Sequence, residues 1–197
     1  MGTSRIAAEL ANRIRVYSVV STDSIREILR CALNPELSPS LNASTYLAGQ
    51  SENYHDKSEE VRLEKIIRAY KTQARAVGVG VHGLIKRNIK ENSSVILEGV
   101  HIIPEQVYFD IHEHVLQYFI DIPQEHIHKH RFESRASAAP ERKLQQYLDN
   151  FTEIRWIQDY LRRKASEVGG VLTINNEGSL DASVDRIVQE YYRRFTI

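Results

Sequence analysis

Four short apolar runs, rich in β-branched residues, recur along the chain: 16–21 (VYSVVS), 94–98 (SVILE), 115–122 (VLQYFIDI) and 171–174 (VLTI). Between them lie stretches whose apolar residues return every three to four positions, the period of a helix with one buried face. A strand that is apolar throughout is covered on both faces, which is the environment of a parallel strand between helices. The alternation therefore predicts an α/β fold with one parallel sheet and helices on both faces. Helices are expected over 4–15, 22–33, 59–92, 124–138, 145–168 and 180–195, with a short one from Pro104 to about His112. Thr22 or Asp23 is the expected cap of the second helix. Gly78, Gly80 and Gly83 suggest a bend in the 59–92 helix, and 34–58 reads as a loop.

At 197 residues, 42% of them hydrophobic, the chain fits a single domain over 1–197. Lys plus Arg and Asp plus Glu both number 26, so no charge excess points to nucleic acid or to a membrane surface as a partner. No apolar run approaches the roughly 20 residues that span a bilayer, and no apolar block opens the chain, so the expected location is the cytoplasm. Cys31 is the one cysteine; it excludes an internal disulfide and reads as a packed helix residue. Oligomeric state is left open.

Ligands of parallel α/β sheets bind beyond the carboxyl ends of the strands. Polar residues stand at those ends: Ser21 to Arg26, Glu98 to His101, and Asn175-Asn176. Asp23 could accept a proton from a substrate hydroxyl or hold hydrated Mg²⁺, and Arg26 could fork onto a phosphate. The same two residues also read as a helix cap and a solvated cation. Glu98, ending an apolar strand, needs a hydrogen-bond partner, a counter-charge or a metal-water shell. Residues 126–135 gather histidines and arginines that could close over transferring phosphates or form a solvated basic face. His126 and His130, or His112 with a spatial neighbour, raise a metalloprotein reading, but no H-E-x-x-H is present. The opening Met1-Gly2-Thr3-Ser4-Arg5 looks like a phosphate-binding loop without its middle, second glycine and lysine.

Taken together, Ser21 to Glu27, Ala43-Ser44-Thr45-Tyr46, Glu98-Gly99-Val100-His101-Ile102-Ile103-Pro104, His130 to Arg135, Tyr147 to Leu161 and Ile174-Asn175-Asn176 resemble the 2-phosphoglycerate kinase family. The resemblance runs from Gly2 to the C-terminal helix. It implies a three-layer P-loop NTPase-like sheet, with residues 124–145 as a lid, and ATP-dependent phosphorylation of 2-phosphoglycerate to 2,3-bisphosphoglycerate with Mg²⁺. It implies catalytic roles for Asp23, Glu98, Arg131 and Arg135, and a small phosphorylated substrate held by Asp23, Arg26, Tyr46, Gly99 and His101. ATP would meet Gly2, Thr3, Ser4 and Arg5, and the metal Ser4 and Glu98.

The chain departs from the family pattern G-G-T-S-G-V-G-K-S-T-I-A and from the apolar strand that precedes it. Aligned backwards from Ile6, residues Gly2 to Arg5 occupy the G-K-S-T positions and threonine replaces the lysine. The expectation is a truncated or degenerate member whose central first strand is absent, with weak ATP binding and little kinase activity. The alternative is a non-catalytic binding or regulatory protein on the same scaffold.

Overall fold

The computed structural model describes residues 2–34, 36, 38–50, 54–55, 57–107, 114–138 and 144–195, without the side chains of 106–107 and 135–138. Helix α1 (Thr3–Ile14) leads to β1 (Val19–Ser21) and α2 (Thr22–Ala32). After a 3-10 turn (Pro39–Asn42) comes α3 (Glu59–Lys90), then β2 (Ile96–Glu98) and the short α4 (Pro104–Val107). Strand β3 (Gln117–Asp121) precedes α5 (Glu125–Ala138), α6 (Leu144–Asp149) and α7 (Phe151–Glu167), and β4 (Val171–Asn175) leads to α8 (Leu180–Phe195). His112, the expected end of the helix begun at Pro104, lies outside the described residues, as do 139–143 of the expected lid segment.

The expected single sheet is instead two parallel pairs. In one, Val19, Val20 and Ser21 stand opposite Ile96, Leu97 and Glu98. In the other, Gln117 to Asp121 stand opposite Val171 to Asn175. No ladder joins the pairs among the described residues. Helix α1 packs on β1 and β2 and also on α8, which covers β4, so it links one pair to the other.

The strands are shorter than their apolar runs because a ladder, not hydrophobicity, ends them: Val16 is buried but precedes the paired residues. Ser21, not Thr22 or Asp23, caps α2, its hydroxyl accepting from Ser24 N at 3.0 Å. Thr22 and Asp23 thereby fall in the first helical turn. The 145–168 pattern divides at Asn150, whose Nδ2 donates to Gln146 O at 2.8 Å while its Oδ1 accepts from Gln50 Nε2 at 2.7 Å. Helix α3 runs 32 residues without a break, and at Gly80 a Cβ would come within 2.6 Å of Ile25 Cγ2, so the missing side chain is what admits α2.

Three apolar clusters hold the elements. Ile66, Tyr70 and Ala74 of α3 meet Ile157, Tyr160 and Leu161 of α7. Val77, Val81 and Ile85, further along α3, meet Ile25 of α2 and Leu41. Ile6 of α1 meets Ile174 of β4 and Val184 and Ile187 of α8. Each fully buried aliphatic side chain contributes about 1.5–3 kcal/mol. Cys31, expected in the core, is exposed.

Candidate functional site

The N-terminus of α1 lies where the ends of both strand pairs converge. Gly2, at φ 88°, starts the helix in the left-handed region, and no side chain caps it. The first helical bond runs from Ile6 N to Gly2 O at 2.9 Å, so the N–H groups of Thr3, Ser4 and Arg5 are first-turn donors at the positive end of the helix dipole. On the β2 side, Thr3 Oγ1 donates to Glu98 Oε2 at 2.7 Å and Ser4 Oγ to Glu98 Oε1 at 2.9 Å. On the β4 side, a Cβ at Gly2 would stand 3.0 Å from Asn176 Nδ2 and 3.5 Å from Arg131 Nη1. Arg131 also donates through Nη2 to Gly178 O at 3.4 Å. Burial and the positive charge of Arg5 push its pKa down, as for a cation held beside another cation.

The first turn of α2 carries the second part. The Asp23 side chain is 72% exposed, and Oδ1 lies 4.0 Å from His101 Nδ1. Gly99, at φ 136°, carries the chain from β2 past Thr22; a Cβ there would collide with Thr22 Oγ1. His101 is 1% exposed. Its Nδ1 is 2.9 Å from Thr22 Oγ1, and its Nε2 is 3.0 Å from Gln73 Oε1 and 3.3 Å from Thr45 Oγ1. Burial lowers its pKa to about 4, with Asp23 opposing and Arg26 assisting. Near neutral pH the Asp23 carboxylate therefore faces a neutral ring and not an imidazolium.

The sequence-derived candidates divide accordingly. Gly2, Thr3, Ser4, Glu98 and Arg131 meet at the start of α1, while Gly99 packs against Thr22, the residue before Asp23, since Glu98 is the register partner of Ser21. Arg26 spends Nη1 on Ala43 O at 3.0 Å, and its buried Nε has no hydrogen-bond partner among the described residues. Tyr46 stands against Tyr147 of α6, ring centroids 5.7 Å apart, and burial raises its pKa. The His101 ring, expected to touch substrate, is enclosed, with both nitrogens engaged by protein. Arg5 is exposed near Arg131. The side chain of Arg135, one turn beyond Arg131 on α5, lies outside the described residues.

Sequence reasoning passed over Gln73 as a site residue and read Thr22 as a helix cap. Gln73 sits inside a long helix with nothing local to mark it; the signal is a buried amide on an otherwise apolar helix face. His128 is a further surprise on the basic helix. It is 1% exposed, stacked on Phe132 at 5.2 Å, and its ring nitrogens have no hydrogen-bond partner among the described residues. His126 and His130 are exposed. Among the described residues no group of three His, Cys, Asp or Glu side chains could hold a metal ion, and no helix is long and apolar enough to cross a membrane.

The 2-phosphoglycerate kinase of Methanopyrus kandleri is 36% identical over 191 residues, which are 95% of this chain and 56% of that protein. That of Pyrococcus furiosus is 35% identical over 190 residues, 96% of this chain and 60% of that protein. That of Methanococcus maripaludis strain C6 is 34% identical over 198 residues, covering 100% of this chain and 62% of that protein. Over nearly its whole length the chain is similar to 2-phosphoglycerate kinases. It spans somewhat under two thirds of the length of these relatives. No family model and no solved structure matches it.

Proposed function

We propose that this chain carries the acceptor side and part of the phosphate site of a small-molecule kinase that uses ATP and Mg²⁺ to phosphorylate 2-phosphoglycerate. The relatives' name supplies the substrate. The observation that carries the reading is the start of α1, where Thr3 and Ser4 grip both oxygens of Glu98 while Arg131 stands over Gly2.

Hydroxyl and carboxylate oxygens are the hard donors that Mg²⁺ takes together with water, so Ser4 and Glu98 fit the metal. Bound there, the ion would neutralise charge on the transferring phosphoryl group. The first-turn N–H groups of α1 and the Arg131 guanidinium suit the terminal phosphates of ATP. Asp23, exposed and beside a neutral ring, accepts the acceptor hydroxyl's proton, and Arg26 holds the acceptor's existing phosphate or carboxylate. Phosphoryl transfer depends mainly on position and charge neutralisation, which this set provides. The two strand pairs are read as flanks of one three-layer P-loop-type sheet, with α5 as the lid element.

A second reading, a non-catalytic binding protein on the same scaffold, is favoured by one feature: the first turn of α1 is Thr3-Ser4-Arg5, without the lysine of a phosphate-binding loop. A coupled ADP-release assay with Mg-ATP and 2-phosphoglycerate separates the two. It is run on this chain beside a version in which an apolar strand and the full G-V-G-K-S-T loop precede α1. Turnover in the restored version, and little in this chain, is expected. Turnover in neither overturns the kinase reading.

A further inference from the structure

The hydrogen bonds around His101 determine its tautomer. Gln73 Nε2 lies 2.5 Å from Ser40 O and 2.9 Å from Ala43 O, and two carbonyl partners require that atom to be the amide nitrogen. Its Oε1, 3.0 Å from His101 Nε2, is therefore an acceptor, so Nε2 carries the imidazole proton. Nδ1 then has a lone pair, and the Thr22 hydroxyl at 2.9 Å donates to it. Thr45 Oγ1, 3.3 Å from the same Nε2, can accept or donate and so does not select the tautomer, whereas the Gln73 amide oxygen can only accept. The chain of bonds runs from the middle of α3, through His101, to the first turn of α2.

We propose that Gln73 is a positioning residue for the acceptor site: it selects the Nε2–H tautomer of His101, which holds the Thr22 hydroxyl and with it the helical turn that presents Asp23. This rests on the reading of Asp23 as the proton acceptor. Gln73 is 0% exposed and touches no ligand; its action passes through His101. In the other tautomer Nδ1–H would be the donor, and the Thr22 hydroxyl would have to turn its proton elsewhere. The charged groups around the ring are Asp23 and Arg26 on α2, with Arg75 and His82 on α3 lining the same cavity as His101. A ring kept neutral by burial adds no positive charge of its own beside Asp23.

The test is long-range ¹H–¹⁵N correlation of the histidine rings between pH 8 and pH 5, with calorimetry of 2-phosphoglycerate binding alongside. Wild type is expected to give one neutral Nε2–H pattern for His101. Gln73→Leu is expected to lose that single tautomer and to bind 2-phosphoglycerate at least about 10-fold more weakly, the scale of one misdirected hydrogen bond. An unchanged Nε2–H pattern in Gln73→Leu overturns the proposal. If that variant fails to fold, the near-isosteric Gln73→Glu serves: its carboxylate keeps the tautomer but favours imidazolium, so His101 should charge at a pH at least about one unit higher. Unaltered titration in Gln73→Glu also overturns the proposal. Absence of 2-phosphoglycerate binding in wild type would remove the kinase reading, while the ring resonances still decide this one.

Discussion

Two aspartates, one at the end of each strand pair, have opposite environments. Asp121 closes β3, and its side chain is 6% exposed. Arg162 grips both its oxygens, Nε to Oδ2 at 2.9 Å and Nη2 to Oδ1 at 2.8 Å, and Gln158 Nε2 adds a third bond at 2.7 Å. Asp23, one residue into α2 beyond β1, is 72% exposed and has a neutral ring as its neighbour. Position at a strand end is thus not enough for chemistry. A carboxylate whose lone pairs are taken by a guanidinium is structural; one left facing solvent beside a polar, uncharged group is free to take a proton.

The largest effect that would break the contrast is on catalysis. Asp23→Asn in the version with a restored loop is expected to lower turnover by roughly 10²–10⁴, the usual share of a general base. The thermal midpoint should be nearly unchanged because the side chain is exposed. A matching loss of stability would place Asp23 with Asp121 as a structural group.

Next comes Arg162→Ala, which leaves Asp121 charged and buried. Breaking a buried pair costs about 3–5 kcal/mol, and since Arg162 is 35% exposed solvent screening brings the expectation to roughly 2–3 kcal/mol. Urea unfolding measures it. A change below about 0.5 kcal/mol, typical of surface pairs, would erase the distinction between the two strand ends.

Gly99→Ala tests the open end. It combines a left-handed backbone at φ 136° with a collision at Thr22, for an expected loss of about 1–3 kcal/mol. Weaker 2-phosphoglycerate binding should accompany the loss in calorimetry. Full stability with full binding would mean that the turn does not position Thr22.

The smallest effect is a difference of pH windows. His101 titrates near 6.5 when unfolded and near 4 when folded, so the unfolded state binds the extra proton between these values. Stability is lost as pH falls through that range and levels off below it, by on the order of 3 kcal/mol. For Asp121, burial raises the pKa, but the bonds from Arg162 and Gln158 outweigh it and hold the net value below 3.8. Its contribution is present above 3.8 and is lost only as pH falls below. His101→Gln should flatten the upper part of a stability-against-pH curve, leaving the share of His128, whose pKa burial lowers to about 3. A curve identical to wild type would contradict the enclosed, neutral His101.

The alternation of elements was legible in the sequence because each helix buries one face and each strand both. Helices α2 and α8 lie within a residue of their expected bounds, and α3 within two at its C-terminal end. Pairing was not legible: nothing in the VYSVVS or VLQYFIDI runs says which neighbour each strand takes, and among the described residues no ladder joins the two pairs. At the site, Asp23 and Glu98 were visible as polar residues beside apolar runs, and Ser4 through the likeness of the opening residues to a phosphate-binding loop. The Gln73–His101–Thr22 chain was not, since its members stand 28 and 79 residues apart and only folding brings them into contact. Asn150 escaped for a related reason; it interrupts a helical pattern through side-chain bonds that local periodicity cannot register.

Helix α3 has a consequence for how the gene can vary. Ile66, Tyr70 and Ala74 point into one cluster, Val77, Val81 and Ile85 into the next, and Gln73 to His101 between them. One added residue between Ala74 and Val77 would rotate everything downstream by about 100°, taking the second cluster out of phase with the first. The helix works as a ruler with angular graduations, so insertions and deletions among homologous genes should spare codons 66–85 and accumulate in the loop before Ser58.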